Sequence, residues 1–150
     1  MISRRNAILA APALVGVSSM LAYRSSMSDR ESYDSAARRT WRLGTPQGYQ
    51  GPALAAELIR SATLAPSSHN TQCWKFRPSE GSIEILPDLS RRCPVVDPDD
   101  HHLFVSLGCA TENLVHAALA NGLKAEAALD TLTGTVRVRL EPTQALVSPL

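Results

Sequence analysis

The sequence predicts an α+β fold with the element order α, β, β, α, β, β, and three patterns carry that expectation. Apolar residues recur at helical spacing over 52–62 and again over 98–121. Val136, Val138 and Leu140 alternate strictly with Arg137, Arg139 and Glu141, the period of a half-buried strand. Turn residues Ser79, Glu80 and Gly81 join two short strand-like runs.

Residues 1–25 read as a twin-arginine-type signal or anchor. Ser3-Arg4-Arg5-Asn6-Ala7-Ile8-Leu9 precedes an apolar run from Ala7 to Ala22. Sixteen helical residues span about 24 Å, short of the ~30 Å hydrocarbon core, and Pro12 and Gly16 weaken a helix further. Met20 stands where a cleavage motif wants a small residue, so retention as an anchor stays open. The expected location is across the cytoplasmic membrane, in the periplasm or cell envelope, with membrane contact only through this segment. Residues 26–51 change to Ser, Arg, Asp and Glu with Gly44, Pro46, Gly48 and Gly51, and read as a polar linker in which Ala36 to Leu43 favour a short helix.

The folded part is expected over 52–150. Pro52 suits a first helical position, and Leu54, Leu58, Ile59 and Ala62 form one stripe. Trp74 to Pro78 and Ser82 to Leu86 are the first strand pair. Asp97 is expected as N-cap of the second helix, with Pro98 in its first turn and Asp99 and Asp100 favouring the dipole. That helix continues through Leu103, Leu107, Ala110, Leu114 and Ala118 to Gly122. Leu123 to Leu129 and Thr135 to Leu140 make the second pair.

Composition excludes some classes. The chain has 150 residues, 44% hydrophobic and 19% charged, which suits one soluble domain. A net charge of +1 and 5% aromatics leave no basic, aromatic-interleaved stripe for nucleic acid. Cys73, Cys93 and Cys109 form no C-x-x-C; Cys109 reads as core, and pairing of Cys73 with Cys93 is left open. Asp97, Asp99, Asp100, His101 and His102 crowd candidate ligands together, and Glu112 and His116 stand four apart on a helix. No H-E-x-x-H or cysteine pair accompanies them, so no metal is assigned.

The chemistry is expected in Ala65 to Trp74, APSSHNTQCW, a loop of short hydrogen-bonding side chains between a helix and a strand. The same composition also serves a connection whose Ser and Asn residues bond their own backbone. The loop resembles the A-P-S-S-x-N-x-Q-P-W signature of the FMN-dependent nitroreductase family, with Cys73 in place of the proline. Asp97-Pro98 and SLGCATENLVHAALANGL from Ser106 to Leu123 extend the likeness over about 52–125, and DLSR at Asp88 to Arg91 resembles an exported branch.

The resemblance implies an N-terminal half of a nitroreductase-like domain. It carries Pro66, Ser67, Ser68, Asn70 and Gln72 over as flavin contacts and names no catalytic side chain. It implies FMN as cofactor, NADH or NADPH as electron donor, and nitroaromatics or quinones as small-molecule substrates. Family members build the flavin site between two subunits or repeated halves, so a homodimer or a missing C-terminal half is expected. Basic phosphate ligands of the family are not matched here, while Arg91 and Arg92 are candidates for an anion. The alternative is a flavin-binding or inert truncated fragment without turnover, and a metal-binding module built on the Asp97 to His102 cluster is the less favoured rival.

Overall fold

The computed structural model describes residues 32–42 and 49–143. The chain divides into two units, 1–42 and 43–150. In the first, residues 32–41 are helical, which gives the expected linker helix an earlier start. Ser35 Oγ donates to the Ser32 carbonyl at 2.9 Å and accepts from Arg39 Nη1 at 3.2 Å, while Tyr33 and Trp41 are exposed. The twin-arginine segment lies outside the described residues.

The second unit follows the expected order. Helix α1 is Gly51–Thr63, strands β1 and β2 are Trp74–Ser79 and Ser82–Pro87, helix α2 is His101–Ala120, and strands β3 and β4 are Leu123–Asp130 and Thr135–Pro142. Two 3-10 turns, Ser68–Asn70 and Leu89–Arg91, interrupt the loops. Among the described residues the four strands join one antiparallel sheet ordered β1-β2-β4-β3. The crossover through α2 therefore places β4, not β3, beside β2. Ile83 pairs with Val138 and Ile85 with Val136, so the apolar sets of both hairpins share one face.

That face and the helices make the core. Leu58 and Ala62 of α1, Ile83, Ile85 and Val138 of the sheet, and Leu103, Leu107, Ala110 and Leu114 of α2 are all buried together. A buried leucine or isoleucine contributes about 1.5–3 kcal/mol relative to exposure, so this shared cluster is the main source of stability. The opposite sheet face carries Lys75, Arg77, Glu84 and Arg137, with Glu84 accepting from Arg77 at 3.0 Å and Arg137 at 2.7 Å. Helix α2 is long and apolar enough in composition to cross a membrane, but half of that stretch is buried in this core.

The start of α2 corrects one expectation. Asp97 and Pro98 precede the helix, because Asp100 takes a left-handed conformation at φ 58° and turns the chain before His101. Asp97 still caps from outside. Its Oδ1 accepts the His102 amide and its Oδ2 the Leu103 amide, both at 3.0 Å.

Candidate functional site

The loop after α1 is held in an unusual backbone shape. Ala65 is buried, Ser67 is extended, and the 3-10 turn Ser68–Asn70 follows. His69, Asn70 and Gln72 have φ of 50°, 54° and 48°. Left-handed conformations cost L residues about 1–2 kcal/mol each, least for Asn, and such strain persists only where surrounding contacts over-determine it.

Those contacts are present. Ser67 Oγ accepts the Gln72 amide at 3.0 Å, the Asn70 amide donates to the Ser67 carbonyl at 3.0 Å, and Thr71 Oγ1 donates to the Ser68 carbonyl at 3.0 Å. From α2, Ser106 Oγ accepts the Ser68 amide at 3.1 Å and donates to the His102 carbonyl at 2.7 Å. Arg91 Nη1 donates to the Thr71 carbonyl at 2.9 Å. The Asp88 amide donates to the Cys73 carbonyl at 2.9 Å, and buried Cys73 lies 3.7 Å from the Leu103 carbonyl.

Pro66, Ser67, Ser68, Asn70 and Gln72 thus share one short loop. Ser67 and Ser68 are half-buried, whereas Pro66, Asn70 and Gln72 are exposed. The backbone-satisfying reading holds for Ser67, whose oxygen closes the loop. The amide side chains of Asn70 and Gln72 make no hydrogen bond among the described residues.

Two buried carboxylates flank the loop. Asp88 is held down to a pKa of about 2 by the Ser90 hydroxyl at 2.6 Å, Lys75 at 2.9 Å and the Ser90 amide at 3.2 Å. Burial by itself would raise Asp97, but the His102 and Leu103 amides and the His102 ring bring it below the usual carboxylate range. Asp97 lines a small depression with Ser68, Thr71, Arg91, Arg92, Cys93 and Leu103. The sequence alone does not assign Asp88, Asp97 and Ser106 to this loop. Their signals are DLSR, Asp97-Pro98 and the first residue of SLGCATENL, but none says what it touches.

The Asp/His cluster has other work. His102 Nδ1 sits 3.2 Å from Asp97, Arg92 Nε donates to Asp100 at 2.7 Å, and His116 Nε2 is 3.0 Å from Glu112. Among the described residues no three His, Cys, Asp or Glu side chains converge on one point. Cys73, Cys93 and Cys109 are free thiols, with Cys109 packed against the core.

No family model matches the chain. Over 77 residues it is 38% identical to chains named NAD(P)H nitroreductase from two strains of Mycobacterium tuberculosis. The match takes in 47% of this chain and 22% of those relatives' length. In three dimensions it is similar to the nitroreductase family protein of Streptococcus pneumoniae TIGR4, with a TM-score of 0.51 and 16% identity over 67% of this chain and 84% of that one. The fold is nitroreductase-like. The nitroreductase resemblance read from APSSHNTQCW therefore agrees with a sequence relative and with a structural neighbour. In this nitroreductase-like frame, the loop lies at the end of α1, braced by α2 and by the residues after β2.

Proposed function

We propose that this chain is the flavin-contacting part of a nitroreductase-type oxidoreductase. It takes FMN, draws electrons from NADH or NADPH and reduces a nitroaromatic or quinone. FMN would supply two-electron transfer between donor and acceptor. One observation carries the reading: a strained, braced loop presents Asn70 and Gln72 as exposed amides without protein partners among the described residues. Amides offer both donor and acceptor, which suits the polar edge of an isoalloxazine ring in either redox state. Ser67 retains its hydroxyl proton for the same edge, since among the described residues its oxygen is used only as an acceptor. Pro66 fixes the approach of the loop.

The mycobacterial relatives' names support the nicotinamide donor. Because the chain spans 22% of their length, whole-protein activity is proposed as requiring a second copy or further chain. Export by the twin-arginine route is proposed from Arg4 and Arg5 and the apolar run after them.

Asn70→Gly tests the site. Glycine accepts φ 54° without strain, so folding should be retained while the amide is lost. Losing a net bond of about 0.5–1.5 kcal/mol and leaving the ring edge unpaired should weaken FMN about ten- to hundred-fold. Titration of FMN by fluorescence measures this. An unaltered dissociation constant in the folded variant would remove Asn70 from the site.

A further inference from the structure

We infer that Arg91 is the positioning residue that keeps the loop Ser67 to Gln72 in its ligand-ready conformation. Its functional meaning rests on the flavin reading above, while its geometry does not.

Thr71 is the one residue between His69 and Gln72 with an ordinary right-handed backbone, at φ −69°. Left-handed Asn70 and Gln72 flank it. Its carbonyl is where the scaffold reaches the strained half of the loop, because Arg91 Nη1 donates to it at 2.9 Å. The start of the loop has its own long-range tie, Ser68 to Ser106. The other hydrogen bonds at Asn70, Thr71 and Gln72 close within the loop itself and do not fix it to the scaffold.

Arg91 is suited to this by what stands behind it. Its Nε lies 3.7 Å from Asp88 Oδ2, and its amide donates to the Asp88 carbonyl at 3.0 Å. Asp88 is buried, ionised, and anchored by Ser90 and Lys75. The Asp88 amide also holds the Cys73 carbonyl, so one residue steadies the far end of the loop and aims the arginine at its middle. A planar guanidinium presents Nε to a carboxylate and Nη1 to a carbonyl at once; an ammonium on a flexible stem does not fix that fork. Preorganisation of this kind raises affinity by removing the ordering cost from the binding step.

The test compares wild type, Arg91→Ala and Arg91→Lys in the full chain. Backbone amide to Hα couplings and amide exchange at His69, Asn70 and Gln72 report the loop, and an FMN titration reports binding. Arg91→Ala should lose the positive-φ couplings, speed exchange in the loop and weaken FMN about tenfold. Its melting temperature should stay near wild type, because the side chain is half exposed. Arg91→Lys should remain defective, and methylguanidinium added to Arg91→Ala should restore part of both signals. Unchanged loop couplings in Arg91→Ala, or a fully wild-type Arg91→Lys, would overturn the proposal. If wild type ignores FMN while Arg91→Ala still disorders the loop, the flavin reading falls and the positioning role stands. If wild type binds FMN tightly and Arg91→Ala binds it equally well with an ordered loop, the positioning role falls and the flavin reading stands.

Discussion

Replacing Ser106 with alanine should separate the loop from its supporting helix. The side chain is 3% exposed and its oxygen takes the Ser68 amide at 3.1 Å. Alanine fits the same space and is the better helix former, and removal of the bond to the His102 carbonyl relaxes the first turn, so α2 itself gains up to about 0.5 kcal/mol. Against this, the half-buried Ser68 amide is left without a partner, a cost of about 1–2 kcal/mol within the usual range for an unsatisfied donor. The net loss is about 1 kcal/mol, which for a domain of this size lowers Tm by about 4–8 °C. Urea unfolding followed by tryptophan fluorescence measures it, because Trp74 is buried in the core. Exchange of the Ser68 amide should accelerate together with the drop in stability. An unchanged urea midpoint with unchanged Ser68 exchange would show that the bond from α2 does not hold the loop.

Three further outcomes are expected. Asp88 has its folded pKa depressed to about 2 from 3.8, so its contribution is complete above pH 4 and is lost as pH falls through about 2. Urea midpoints should decline over that window in wild type and decline less in Asp88→Asn. Gly134→Ala should destabilise by about 1–2 kcal/mol, since φ is 68° and the new methyl would meet Phe104 Cε1 at 2.6 Å. Phe104→Ala in that background should recover only the part due to the clash, as read from thermal melts. Arg4→Lys combined with Arg5→Lys should leave the protein in the cytoplasm, and cell fractionation showing normal export would refute the twin-arginine route.

What the sequence by itself determined is local. Helical spacing of Leu54, Leu58 and Ala62, alternation at Val136, Val138 and Leu140, and the Glu80-Gly81 turn each depend on neighbours a few residues apart. The α+β order follows from them, with the four strand starts as expected and the other limits displaced by one to three residues. The loop was legible for the same reason, because its short polar side chains are contiguous. Only the tertiary structure decided what crosses the chain: β4 inserted between β2 and β3, Ser106 on an amide 38 residues back, and Arg91 on a carbonyl 20 residues back. It also moved the start of α2 to His101, because the left-handed turn at Asp100 lets the Asp97 carboxylate reach the helix from outside. Local periodicity is set by the geometry of one element. Which donor meets which acceptor is set by how elements stack, and no spacing along the chain encodes that distance.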